Sequence, residues 1–298
     1  MQAVLIIAHK QPEQVMALAK QLVPTFKVWV HFDTKMKVTP AQQAAFDQLG
    51  VHTFSKIDVR WGGWSIGQVA VELFKAALKD PEITHFHLIS GQDWPVQAPA
   101  KIAHFYENDD HIYMKYFRAD QVRKSGELVL WWQKYYFPYD KLNRRTLFGK
   151  IYHRVSLHLQ RLLGVNKLKR LGYRPEEIYS GENWVDLPRD AAEYAVEYFE
   201  THPKLKKMLK TGAFSDEFWL PIIFCNQPEY RDRIIQKHYR YILWKERYGS
   251  RPAILDLQDL PALQSEPYFW ARKVVFGISD ELTQHLPLAS REPGKPEN

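Results

Sequence analysis

VLIIAH (residues 4–9), VWVHF (28–32), VHTFS (51–55), HFHLIS (85–90) and HIYMKYF (111–117) are short apolar runs rich in β-branched and aromatic residues. That composition predicts strands. Between them, near 12–22, 40–49, 66–79 and 99–106, apolar residues recur at helical spacing. Strands alternating with helices imply an α/β fold, a mostly parallel central sheet flanked by helices. In such sheets ligands collect beyond the carboxyl ends of the strands. The first candidates for a site are therefore His9-Lys10, Asp33-Thr34-Lys35, Arg60 to Ser65 and Gly91 to Pro95.

Outward from this region the pattern is more mixed. An aromatic stretch, WWQKYYFPY (131–139), is followed by a basic helical segment, a helix after Pro188 and another from Asp216 to Phe224. The chain has 298 residues, 45% of them hydrophobic, enough to bury a full core. The expectation is one domain over 1–287, with a nucleotide-binding half (1–120) and an acceptor and catalytic half (121–287), then a disordered tail over 288–298. No apolar window approaches the roughly 18 residues of a membrane span, and the start MQAVLIIAHKQPEQ lacks a basic leader. A cytoplasmic protein is expected, with peripheral attachment to the inner face of a membrane as one option. The single cysteine, Cys225, lies in LPIIFCN and reads as a buried thiol.

Net charge is +7, and nine Lys or Arg with no Asp or Glu fall between Lys141 and Arg170. Leu147, Ile151, Val155, Leu159 and Leu162 share one helical face, flanked by Lys150, Arg154 and Arg161. Such a basic amphipathic helix suits an anionic membrane surface or an anionic glycan; it equally suits a core-packed helix with a solvated basic rim.

Several chemistries are disfavoured by what the sequence lacks. No Gly-x-Gly-x-x-Gly follows the first strand and no P-loop is present, which argues against dinucleotide enzymes and NTPases. His85 and His87 face one way on a strand, but no nearby Cys or His completes a zinc set. No Asp-x-Asp occurs, the arrangement by which many nucleotide-sugar transferases hold a divalent ion. Gly63-Trp64-Ser65-Ile66-Gly67 matches the nucleophile elbow of serine hydrolases. The charged segment Lys56 to Arg60 does not suit the buried strand that must lead into it. Ser65 reads instead as the N-cap of the following helix, with the glycines letting backbone approach a ligand.

The chain resembles glycosyltransferase family 14, which holds the core-2/I-branching N-acetylglucosaminyltransferases and the peptide O-xylosyltransferases. The resemblance runs in order through IIAHK with VHFDTK, RWGGWSIGQVAVELFKAAL, HLISGQDWPV, YSGENWVDLPRDAAEYAV, FSDEFWLPIIFCN, YRYILW and FWARKV. It implies a GT-A type fold, a UDP-sugar donor, a glycan or glycoconjugate acceptor, inversion at the anomeric carbon and no divalent metal or other cofactor. Nucleic acid is not an expected partner. By this resemblance Asp33 reaches the nucleoside, Ile6 lines its pocket and Trp61 lies beside the uracil; His9, Ser65 and Asp93, from their places just after the strand runs, are taken to lie on the donor side. Arg240 and Lys273 grip the diphosphate, and Glu217 in SDEF is the catalytic base. Asn183-Trp184 stand where the xylosyltransferases carry Asp-Trp, so the sugar, N-acetylglucosamine or xylose, stays open. Trp94 joins Trp184 as a candidate indole for stacking on sugar. A serine hydrolase on Ser65 and a non-catalytic glycan-binding protein are the alternatives.

Overall fold

The computed structural model describes residues 1–124, 126–144 and 146–287, so the tail expectation for 288–298 lies outside the described residues. Strand β1 (Gln2–Ala8), helix α1 (Pro12–Leu22), β2 (Lys27–Phe32), α2 (Pro40–Gln48), β3 (His52–Phe54), α3 (Ser65–Ala77) and β4 (His85–Ser90) follow the order the apolar runs dictate. β1 pairs in parallel with β2 and β4, and β2 with β3, so all four carboxyl ends open on one side.

Next come β5 (Asp93–Pro95), α4 (Pro99–Phe105), β6 (Ile112–Tyr113) and β7 (Tyr116–Arg118). The strand expected over 111–117 is thus two. β6 stays in the main sheet, whereas β7 turns away to pair with β10 (Tyr179–Gly181). A hairpin, β8 (Arg123–Lys124) and β9 (Glu127–Leu128), precedes α5 (Leu147–Leu162) and α6 (Lys167–Leu171). The chain continues through β11 (Asp186–Pro188), α7 (Arg189–Thr201), α8 (Pro203–Lys210), α9 (Trp219–Cys225), β12 (Ile234–Ile235), β13 (Arg240–Ile242) and β14 (Trp270–Arg272). The main sheet runs β12-β6-β11-β4-β1-β2-β3, with β11 antiparallel to both its neighbours. A smaller sheet, β13-β14-β5, adjoins it.

The period-2 rule for strands fixes the two faces of β1. Ala3, Leu5 and Ile7 pack into one core with α3, α7, α8 and α9, while Val4, Ile6 and Ala8 pack into the other with α1 and residues 255–286. Both cores draw on the two halves of the chain. Ile6, expected to line a nucleoside pocket, is instead fully buried in the second core. Trp94 is likewise core: it is buried beside Phe276, with ring centroids 5.6 Å apart, on β5, the strand paired alongside β14.

Two further expectations are corrected locally. Ser65 does not cap α3: the carboxylate of Asp140 accepts from the Trp64 and Ser65 amides at 3.1 and 3.0 Å, doing the work expected of a cap side chain. A Cβ at Gly63 would meet that carboxylate oxygen at 2.0 Å, so only glycine admits the contact. Lys167, counted among the nine cations, is buried and donates to the Met208 carbonyl at 2.9 Å; desolvation pushes its pKa down to about 7.

Candidate active site

The site assembles where the parallel strands end. His9 and Lys10 follow β1, and Asp33 follows β2. The turn after β4 leads into β5, whose antiparallel pairing with β14 sets Arg272 opposite Asp93. Asp93 Oδ1 accepts from the Arg272 guanidinium at 3.0 Å, and its Oδ2 accepts from the Ser90 amide at 2.5 Å. Ser90 Oγ also receives Arg272. The guanidinium lies over the Trp184 indole, 4.4 Å from the ring centroid. Lys273, next in the chain, donates from Nζ to Ser250 Oγ at 3.0 Å. Gln14 of α1 braces this end, donating to the carbonyls of Gly91 and Val274 at 2.8 and 2.9 Å.

Electrostatics show what this cluster wants. Burial, then the charges of Arg272 and Lys10, hold Lys273 below the ordinary lysine range, against the pull of Asp93. Burial also lowers His9, followed by Lys10 and Arg272, with Asp33 opposing and Lys273 adding to the depression. Basic groups that repel one another in a partly desolvated cleft are stabilised by a bound anion, and a diphosphate offers several acceptor oxygens to such donors. Asp33 sits at the rim of this field, buried, accepting from the Lys35 amide at 3.0 Å and the Val59 amide at 3.4 Å.

A second centre forms around Glu217, in a 3-10 turn, Ser215–Glu217, that enters α9. The Phe214 amide donates to the Gly62 carbonyl at 2.9 Å, which ties this turn to the loop bearing Trp61. Trp61 and Trp132 pack on the Phe214 ring with centroids 5.1 and 4.8 Å away. Glu217 Oε2 is a buried atom with no hydrogen-bond partner, and Lys124 Nζ stands 3.6 Å off as its ion-pair partner. Burial raises the Glu217 pKa; Lys124 works against the rise and the nearby Glu182 adds to it. Asp216 is raised well above its ordinary value, by burial first and then by Glu217. A carboxylate with raised pKa and an open lone pair is suited to take a proton.

The loop between β10 and β11 connects the two centres. Glu182, whose charge Glu217 feels, pairs with His238 at 2.9 Å and Lys115 at 3.5 Å. Two residues on, Trp184 carries Arg272. Asn183 between them is buried, and its Oδ1 has no partner.

The structure therefore brings His9, Asp33, Asp93, Trp184 and Lys273 together, with Asn183 adjoining, and places Trp61 with Glu217. Arg240 is not among them. Its side chain is 1% exposed and makes paired bonds of 2.7 and 2.9 Å to Asp186, with further bonds to the carbonyls of His238, Leu88 and Val185. Every direction in which a guanidinium grips a ligand is taken up except Nε, so its place is inside the fold. Arg272 and Lys10 hold the positions beside Lys273 and His9. Both were visible as neighbours of chosen residues, in WARKV and IIAHK, but only the β14–β5 register selects Arg272.

Ser65 also drops out. Its Oγ accepts from the Arg60 amide at 2.7 Å, no strand enters it directly, and no imidazole bonds to it among the described residues. His87 is a satisfied core histidine, bonded to Asp186 and Gln2 at 2.9 and 3.0 Å. Among the described residues Asp109, Asp110 and His111 form the one group of three carboxylate or imidazole side chains close enough to share a cation. They adjoin His85 at the opposite, amino-terminal end of the sheet.

The Core-2/I-Branching enzyme family model matches residues 5–263. The chain belongs to the Core-2/I-branching enzyme family, a family of glycosyltransferases. No curated protein matches. Among solved structures, Staphylococcus aureus TarS 1-349 in complex with UDP is 15% identical, with TM-score 0.29, over 43% of this chain and 38% of that one. Core-mannan synthase A from Aspergillus fumigatus in its Mn/GDP form is 9% identical, with TM-score 0.38, over 78% and 72% of the two chains. This chain spans about two fifths of the length of the TarS structures it matches, 39% and 38%.

Proposed function

We propose that this member of the Core-2/I-branching family is an inverting, metal-independent transferase that moves a sugar, N-acetylglucosamine or xylose, from a UDP-sugar to a hydroxyl of a glycan or glycoconjugate. The observation that carries this reading is the cluster of Lys10, Arg272 and Lys273 at the strand ends, linked by the Glu182–Trp184 loop to a carboxylate with raised basicity.

In one displacement the acceptor oxygen attacks the anomeric carbon while Glu217 Oε2 takes its proton. The bond from that carbon to the diphosphate oxygen breaks, and its electron pair leaves on UDP. Lys10, Arg272 and Lys273 meet the growing charge, the role a metal ion otherwise fills. Asp93 and Trp184 hold the guanidinium in place from the side and the face. Attack opposite the departing group inverts the configuration. Asp33 and the loop it holds through Val59 are assigned to the nucleoside, with Trp61 beside the uracil, and Asn183 borders the sugars.

The test is a thermal-shift screen with UDP-N-acetylglucosamine, UDP-xylose, UDP-glucose, UDP-galactose and UDP-glucuronate. A donor at about 100 times its Kd is expected to add about 2.7 kcal/mol of stability. Stabilisation by none of the five overturns the donor assignment. Stabilisation by free glycans alone supports a binding protein instead.

A further inference from the structure

Helix α5 is built inside out. Its inward face is polar: His153 hydrogen-bonds Tyr139 at 3.0 Å, and Gln160 bonds the Tyr136 backbone twice, accepting at 2.9 Å and donating at 2.8 Å. Its outward face is apolar. Leu147 is 76% exposed, Phe148 68%, Ile151 54% and Val155 52%, with Tyr152, Leu159, Leu162 and Leu163 also exposed. At about 100° per residue these side chains cover roughly 160° of the helix, the polar contacts lie opposite, and Lys150, Arg154 and Arg161 line one edge of the stripe. All three cations are exposed, and none has a carboxylate partner among the described residues.

We propose that α5 is an interfacial helix that seats the protein on an anionic lipid bilayer, with its apolar stripe in the acyl boundary and its cations on the headgroups. Charge complementarity selects this occupant. Residues 141–170 contain no acidic side chain, so the segment that carries the stripe favours a negative surface. An acidic glycan would satisfy the cations and leave the apolar face in water. A second copy of α5 would set like charges together. The helix has 16 residues, too short to span a bilayer of about 30 Å, and no helix among the described residues is long and apolar enough to cross one. It fits lying in the plane. Arg144, just ahead of α5, lies over the Phe214 ring at 5.4 Å, so the seated helix adjoins the turn that carries Glu217.

Co-sedimentation of the full chain with phosphatidylcholine vesicles, with and without about one third phosphatidylglycerol, tests this without any sugar nucleotide, so the result is independent of the transfer reaction. Wild type is expected in the pellet with anionic vesicles and about tenfold weaker on neutral ones, with salt reducing but not abolishing binding. Ile151→Asp with Val155→Asp, at exposed positions, is expected to lose binding at least about tenfold, and Lys150→Glu with Arg154→Glu to erase the preference for anionic lipid. Wild type left in the supernatant, or an aspartate variant that binds like wild type, overturns the proposal. So does a dimer seen by light scattering that the aspartate variant splits, which would assign the stripe to a second copy.

Discussion

Glu217→Gln is expected to lower the transfer rate by about 10² to 10⁴ while leaving donor affinity nearly unchanged. The amide keeps the shape of the side chain and cannot accept the acceptor proton. Donor binding should be spared because Lys10, Arg272 and Lys273, the cations proposed to meet the diphosphate, lie in the other centre, across the Glu182–Trp184 loop. Folding is spared as well: burial of the carboxylate is what raises its pKa, so removing the charge relieves a cost, and the melting midpoint should hold or rise. The pH profile supplies an independent readout. The base works ionised and is lost as pH falls through its raised pKa, so the acid limb of kcat/KM should lie above the ordinary carboxylate range and be missing from the variant. Lys124→Met should move that limb further up, since Lys124 opposes the rise. Asp216→Asn should cost less in rate than Glu217→Gln, because the Asp216 carboxyl is held by burial well above the ordinary carboxylate range and is a neighbour of the base, not the base. Wild-type turnover by Glu217→Gln would assign the base to another residue.

Asp186→Asn is expected to cost about 3–5 kcal/mol of stability, the penalty for leaving a buried charge without its partner. Arg240 and Asp186 are each 1% exposed, and Asp186 also bonds His87. Against strong desolvation, Arg240 first and His87 after it hold the Asp186 pKa below the ordinary carboxylate range. A depressed folded pKa contributes stability above the unfolded value and loses it as pH falls through the folded one, so the gap between wild type and variant should narrow in acid. Near neutral pH the midpoint should fall by on the order of 10 °C. A variant that unfolds like wild type but has lost nucleotide affinity would return Arg240 to the diphosphate site.

That arginine marks the limit of what the sequence discloses. The apolar runs predict the parallel strands because composition and period are local properties, and β1 to β4 with α1 to α4 follow them within a residue or two. The residues at the strand ends, His9, Asp33 and Asp93, are legible for the same reason. Which arginine accompanies Lys273 is not local. Arg240 is removed from the site by Asp186, 54 residues away, and Arg272 is placed in it by pairing with β5. The cap on α3 is of the same kind, since Asp140 stands 75 residues from Ser65. The stripe on α5 is plain from spacing, but spacing does not say whether it faces core or solvent. The polar contacts of His153 and Gln160 decide that.

If fixed cations in place of a metal ion receive the leaving UDP, its release during transfer must continue in excess EDTA, which a UDP-release assay reads with and without Lys273→Ala. Turnover in EDTA should equal that in buffer, gain nothing from added manganese, and fall by about 10²-fold or more in Lys273→Ala. Release that stops in EDTA and returns with manganese would contradict metal independence.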